Sequence, residues 1–368
     1  MSRPLILTGI DLPLEPSCGS TIWCSDVYTR LDGFRTVFAG LPGSGTWKHG
    51  FTGTVMLNAA KQPYGANFDS YVEELTEEVV GVLDVHRPDV IHAQHLGFGL
   101  ALAFARAAAG RTPVVSVAHG TDVIAAAESD QAREVLTEIV DASLRVAVPT
   151  EAMAAEVNRL TEGRYADRLS LVPWGIPLPA APSAEPTATQ RLRLVHAGRL
   201  DANKSTRTAV KALALTRDRH HLTVIGDGSE LETLRLQTDA LQLGDQVTFE
   251  AFLPREDLWA RFADFDALLF TTRRLEAYGL VAVEAQAHGL PVLYGDLPGL
   301  KGTLGHGGLS YPPADAHALA ALIDCLAINP FLRQTLHTMA TANARRHDIA
   351  TTAAQLAALS HLVLGEHS

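Results

Sequence analysis

Cysteine is scarce in this 368-residue chain: Cys18, Cys24 and Cys325, with no C-x-x-C spacing. An odd, sparse set of this kind indicates reduced thiols. Positive charge is also short, with 30 Lys+Arg against 41 Asp+Glu and a net charge of −11. Most of that excess falls in residues 1–180, and it disfavours nucleic acid or an anionic membrane as the main partner. Long apolar runs are missing. None approaches the ~20 residues of a membrane-spanning helix, so no stable membrane insertion is expected. The first apolar run, Leu5-Ile6-Leu7, is too short for a secretory signal and is soon broken by Asp11 and Pro13. A cytoplasmic location is therefore expected. Three chemical signatures are absent as well. There is no Walker A pattern and no Asp-x-Asp pair after a strand, so no metal is expected. Gly43-Ser44-Gly45 lacks the strand-to-helix context of a nucleophile elbow.

What is present is a well-cored globular composition, 47% hydrophobic and 19% charged, in a chain too long for one average domain. Short apolar runs alternate with helical periodicity in both halves. In the first half, strands are expected near 5–9, 34–40, 88–94, 113–117, 144–149 and 169–173, with helices near 21–31, 68–86, 100–109 and 151–160. Residues 41–66 have no clear period. A Pro/Ala/Ser-rich stretch then marks a linker at 176–190. Alternation resumes with strands near 192–198, 221–225, 247–254, 267–270 and 291–294. The expectation is an α/β protein of two Rossmann-like domains facing a cleft, 1–175 and 191–347, with a C-terminal helix in 348–368 packing back on the junction.

In open parallel sheets ligands sit outside the carboxyl ends of the strands. His95, and the cluster His119-Gly120-Thr121-Asp122, occupy such positions. His92 and His95 are three apart, which on a strand places them on opposite faces and speaks against a shared metal. Gly198 and Arg199 follow a strand, with Lys204 five residues on. Two cations near a helix start suit the phosphates of a leaving nucleoside diphosphate. Gly226-Asp227-Gly228 is a tight turn, but Leu231 stands where a dinucleotide fingerprint needs its third glycine. The stretch from Arg273 to Val292 is a β-loop-α-β unit. Glu276 lies in its loop, and Tyr278, Gly279 and Leu280 lead into a helix that carries Glu284. Helix-end amides bind phosphate, whereas carboxylates accept from the hydroxyls of riboses and sugars. The set describes a nucleotide-sugar site.

In this order the motifs resemble the retaining glycosyltransferases of family 4. The resemblance rests on Gly198-Arg199-Leu200 with Lys204, Ile225-Gly226-Asp227-Gly228, the E-x7-E pair Glu276 and Glu284, and Gly289-Leu290-Pro291-Val292. Asp89-Val90-Ile91-His92, His119-Gly120-Thr121-Asp122 and Val172-Pro173-Trp174-Gly175-Ile176 extend it into the first half. The resemblance implies a GT-B architecture, with the acceptor bound by the N-terminal domain and the donor by the C-terminal one. It implies no cofactor beyond the donor substrate, no metal, and transfer with retention of configuration. Arg199 and Lys204 would hold the diphosphate and Glu284 the ribose. Glu276 would contact the sugar, and the amides near Gly279 and Leu280 the phosphate or sugar. His119 would line the site near the sugar, and the Gly19-Ser20 loop would approach the phosphates. Ser20 stands where the family usually has a second glycine. His95 and Asp122 are candidates for the acceptor side. A small polar acceptor, cationic or zwitterionic, as in antibiotic-type natural-product synthesis, fits the acidic first half. A membrane-associated glycolipid or polysaccharide transferase and a non-catalytic nucleotide-sugar binder are the alternatives.

Overall fold

A computed structural model describes residues 3–16, 19–43, 50–182 and 191–367. Part of the expected linker and the Ser44-Gly45 portion of the glycine-serine motif lie outside these residues. The chain divides into two compact units, Met1–Gly175 with Ile349–Ser368, and Ile176–Asp348.

The first unit is built on seven parallel strands: β1 (Leu5–Pro13), β2 (Arg35–Leu41), β3 (Gly53–Met56), β4 (Val90–Gln94), β5 (Val114–Val117), β6 (Arg145–Val148) and β7 (Leu169–Leu171). Their order is β3-β2-β1-β4-β5-β6-β7. The central strands β4 and β5 are buried along their whole length, as continuous apolar runs in a sheet covered on both faces should be. Among its described residues the aperiodic stretch contains a strand that alternation did not reveal. β3 is a four-residue edge strand with every residue at least partly exposed, too short to announce itself. The helix Phe68–His86 covers the sheet with Tyr71, Val72, Leu75 and Val79. Not all of its acids are merely solvated: Glu78 accepts hydrogen bonds from the amides of Asn58 and Ala59, both at 2.8 Å. The C-terminal helix Ile349–His367 belongs to this unit, with Ser360 Oγ 3.0 Å from His92 Nε2 and Thr352 Oγ1 donating to the carbonyl of Pro173.

The second unit has six parallel strands: β8 (Arg193–Ala197), β9 (His221–Ile225), β10 (Val247–Glu250), β11 (Ala267–Phe270), β12 (Val292–Gly295) and β13 (Gly308–Tyr311). Their order is β10-β9-β8-β11-β12-β13. Leu194, Val224, Leu269, Leu293 and Ile323 lie at the centre of its core. The α/β class expected from the sequence is the one observed in both halves.

Both sheets reverse direction once, between β1 and β4 in the first and between β8 and β11 in the second. The carboxyl edge at such a reversal opens a crevice, because the connecting helices diverge to opposite faces. In the first unit the loop into helix Gly19–Tyr28 and His95 flank the reversal. In the second, the Gly198–Lys204 loop and the Thr271–Gly279 loop do so.

Candidate functional site

In the second unit, Lys204 and Glu276 meet. Lys204 Nζ lies 2.7 Å from Glu276 Oε2, with the side chains 21% and 14% exposed. The pair bridges the β8 and β11 loops across the reversal point. Its loops are held from below. Thr271 Oγ1 donates to the carbonyl of Lys204 at 2.7 Å, and the amide of Arg273 donates to Asn203 O at 3.0 Å. Asp201, to which the sequence reading assigned no role, accepts from the amides of Asn203 and Lys204 through Oδ1. Its Oδ2 faces Arg199 Nη2 at 3.5 Å. Arg199 is mostly exposed, so it remains available to an incoming anion. His196 sits beneath this loop, where Thr206 Oγ1 is 2.9 Å from its Nε2 and Leu269 O is 3.0 Å from its Nδ1. Burial lowers its pKa to about 4. The neutral ring therefore donates through Nδ1 and accepts through Nε2.

The two glycines of Gly226-Asp227-Gly228 have a reason other than cradling phosphate directly. A β-carbon on Gly226 would lie 2.0 Å from the carbonyl oxygen of Gly198, and one on Gly228 would lie 2.3 Å from that of Leu200. They let the β9 turn close against the β8 loop, where the amide of Leu200 donates to Asp227 O and that of Glu230 to Leu200 O. Gly226 and Gly228 thus set the position of Arg199.

Gly279 takes a left-handed conformation (φ +78°) and caps the helix Leu280–Ala287. Ala282 and Val283 both donate back to Gly279 O, while the first-turn amides of Leu280 and Val281 have no helical acceptor. The Tyr278 side chain is buried, and its hydroxyl lies 2.5 Å from His347 Nδ1. His347 Nε2 in turn faces Thr303 O at 2.8 Å. Burial lowers the His347 pKa, and the tautomer with hydrogen on Nε2 satisfies both contacts. Glu284, on the helix Leu280–Ala287, is buried at 6% exposure.

In the first unit the edge residues form one hydrogen-bonded assembly. Gln94, to which the sequence reading gave no role, donates through Nε2 to Thr8 Oγ1 at 2.9 Å and Tyr28 Oη at 2.6 Å. That fixes its Oε1 toward His119 Nε2, at 2.8 Å. His119 therefore carries its hydrogen on Nε2, leaving Nδ1 a bare acceptor, and Nδ1 is buried without a partner. Burial pushes the pKa values of His119 and His95 well below the ordinary imidazole range. Their rings stack at 4.0 Å, and Trp23 and Trp174 meet the His119 ring edge-on. His95 has φ +68° and its Nε2 lies 3.1 Å from Ser20 Oγ. Ser20 follows Gly19, the exposed first residue of its helix.

The carboxylate of Asp122 is spent on backbone. It accepts from the amides of Leu96 (2.6 Å), Gly120 (2.6 Å), Val123 (3.0 Å) and His119 (3.2 Å). It knits the β4 loop to the β5 loop and places both histidines, a positioning role in place of the direct acceptor contact expected of it. His92 is a core residue whose Nδ1 lies 2.8 Å from Tyr28 Oη. Among the described residues no group of three or more His, Cys, Asp or Glu could hold a metal ion. Nor is any single helix long and apolar enough to cross a membrane.

The fold is that of the GT-B glycosyltransferases. HepE of Anabaena in complex with UDP and glucose superposes with a TM-score of 0.81 at 21% identity, over 97% of this chain and 99% of that one. Sucrose-phosphate synthase of Thermosynechococcus elongatus gives a TM-score of 0.85 at 20% identity, over 99% and 100%. Residues 180–347 match the family profile described as Glycosyl transferases group 1, and residues 58–178 match Glycosyltransferase Family 4. The chain belongs to this family. Among its relatives, the glycogen synthase of Mycobacterium tuberculosis strain H37Rv is 28% identical over 67% of this chain and 62% of its own length. The D-inositol 3-phosphate glycosyltransferase of Pseudarthrobacter chlorophenolicus is 30% identical over 62% and 58%. The chain thus spans about three-fifths of these relatives. The enzyme of the same name from Corynebacterium glutamicum is 26% identical over 83% and 81%. These names lend nothing to an antibiotic-type natural-product acceptor, and that expectation is dropped.

Proposed function

We propose that the chain transfers a sugar from a nucleoside-diphosphate sugar to a small polar acceptor, with retention of configuration. The observation that carries this reading is the Lys204–Glu276 pair at the sheet reversal of the second unit, beside the helix start at Gly279. A lysine with one of three N–H donors on Glu276 keeps two for phosphate oxygens. Arg199, braced by Asp201, adds a second cation, and the amides of Leu280 and Val281 add partial positive charge. All of this charge acts on a departing diphosphate, where negative charge grows in the transition state, so it accelerates departure rather than only tightening binding. Glu276, already oriented by Lys204, accepts from donor-sugar hydroxyls, and Glu284 from the ribose.

The acceptor attacks from the face the diphosphate leaves. The bond from the anomeric carbon to the phosphate oxygen breaks as that to the acceptor forms, and the acceptor proton passes to the departing phosphate oxygen. No protein nucleophile enters this scheme, and charge stabilisation by Arg199, Lys204 and the helix end needs no cofactor. Residues of the first unit take the acceptor, with His119 offering the bare Nδ1 to a hydroxyl.

The test is a thermal-shift screen of nucleoside diphosphates and their sugars, followed by mass-spectrometric detection of released nucleoside diphosphate. A nucleotide present at 100 Kd stabilises by about 2.7 kcal/mol. Donor turnover lost in Glu276→Gln separates catalysis from mere binding, and an unchanged melting temperature with every nucleotide refutes the reading.

A further inference from the structure

One group of residues at the carboxyl edge of the first sheet takes no part in what has been described. Asp11 lies on β1 and its side chain is 1% exposed. Tyr71 Oη donates to its Oδ2 at 2.8 Å, a contact that needs Gly99, since a β-carbon there would fall 2.5 Å from the Tyr71 ring. Oδ1 is buried with no hydrogen-bond partner. Lys61 approaches it, with Nζ 3.6 Å away, while donating to the Asp11 carbonyl at 2.9 Å. The same ammonium sits 4.1 Å from the centre of the Phe98 ring. Phe98 stacks on His95 at 3.9 Å, and His95 on His119. A continuous row thus runs from the cation to His119, in three successive contacts of about 4 Å.

A lysine 35% exposed, anchored through one N–H and braced against an aromatic face, presents its remaining donors outward. A surface ion pair does not require a carboxylate this deeply buried, since an exposed pair contributes little. The other bare polar atoms along the row decide which ligand chemistry fits. Trp23 Nε1, edge-on to His119, is a buried donor without a partner, His119 Nδ1 is a buried acceptor without one, and His95 Nδ1 is likewise buried without a hydrogen-bond partner. Phosphate oxygens would leave the acceptors unmet, and an ammonium would leave the donor unmet. Hydroxyls donate and accept, and so serve both. Charge points the same way. With both histidines neutral, Asp11 and Asp122 outnumber Lys61 within the cluster, which disfavours an anionic group.

We propose that Lys61, held by Asp11 against Phe98, is the specificity-determining cation of the acceptor site, and that it reads a hydroxyl of an uncharged polyol, a sugar or cyclitol. The proposal rests on the transferase reading and deepens it.

The test measures binding of myo-inositol, glucose and the monophosphate of each by saturation-transfer NMR titration, with and without saturating UDP. The wild type binds the neutral probes more tightly than their phosphates. Lys61→Met weakens the neutral probes by about 10- to 100-fold, the effect of losing a charged hydrogen-bond donor, and leaves UDP binding unchanged. Lys61→Arg retains most of the binding. Asp11→Asn weakens the probes as Lys61→Met does, and the Lys61 variants decide alone if Asp11→Asn does not fold. A preference for the phosphates that collapses in Lys61→Met overturns the proposal in favour of an anion site. Unchanged binding in Lys61→Met, or no polyol binding at all, also overturns it. Failure of UDP to bind while the polyol titrations behave as stated strikes the transferase reading instead.

Discussion

Replacing Gly226 by alanine isolates the device that positions Arg199. The new β-carbon falls 2.0 Å from Gly198 O, where real contacts essentially never come under 3.0 Å, so the two loops must part by about 1 Å. Neither side yields easily, because both are backbone. Gly198 N donates to Ile225 O at 3.1 Å and Leu200 N to Asp227 O at 2.8 Å, flanking the contact. The residue also has φ +143°, a region that side chains rarely enter. Overpacking and backbone strain each cost about 1–3 kcal/mol, and together they predict a loss of about 2–6 kcal/mol. The shift falls on the loop carrying Arg199. A misplacement of about 1 Å in a positioning group lowers kcat/KM by up to ~10²-fold. Urea unfolding measures the first effect, and initial rates on folded protein the second. Gly244→Ala is the control, since nothing lies within 4 Å of its added carbon, and it should change stability by less than about 0.5 kcal/mol. If Gly226→Ala unfolds with the wild type and turns over donor at the wild-type rate, the packing account of this glycine pair is wrong.

Arg199→Ala and Lys204→Met should each lower kcat by about 10²-fold or more, as removal of one transition-state charge donor does; near-normal turnover in either excludes that residue from the diphosphate. Asp122→Ala strands several buried backbone amides and should cost about 3 kcal/mol or more in urea unfolding, whereas a loss confined to acceptor KM would restore a direct binding role. Burial lowers His92 to about 3 and His196 to about 4 from 6.5, so below pH 6.5 the unfolded chain binds protons that the folded chain does not. Stability is therefore full above that pH and is lost as pH falls toward the folded values, by about 2 kcal/mol per histidine near pH 5. Urea midpoints at neutral pH and near pH 5 check this, and a midpoint that does not fall contradicts it.

The parallel α/β class was legible because strands buried on both faces read as unbroken apolar runs, such as Ala267-Leu268-Leu269-Phe270. The helix Phe68–His86 was legible in its period and matches its expected span. The half-exposed edge strand Gly53–Met56 was not, since four residues carry too little pattern. The helix Asp130–Ala142 was passed over, although its buried Val135, Leu136, Ile139 and Val140 follow helical spacing. In the candidate site, residue types and their order singled out Arg199, Lys204, Glu276 and His119 as expectations, because charge and imidazole at a strand's carboxyl end suit a ligand. Partnership was beyond reach. Nothing in the spacing of Lys204 and Glu276 says that they touch, and nothing local to Asp122 says that its carboxylate closes on amides from another loop. Gln94 and Asp11 escaped for a related reason. Each lies on a buried strand, and its role comes from neighbours tens of residues away.

The most direct test of the account is donor turnover: incubation of the protein with a panel of nucleoside-diphosphate sugars, and quantification of free nucleoside diphosphate for the wild type and Lys204→Met. The account predicts that at least one donor is consumed by the wild type and that the rate falls about 10²-fold in the variant. Consumption of no donor, or equal rates in the two proteins, would contradict it.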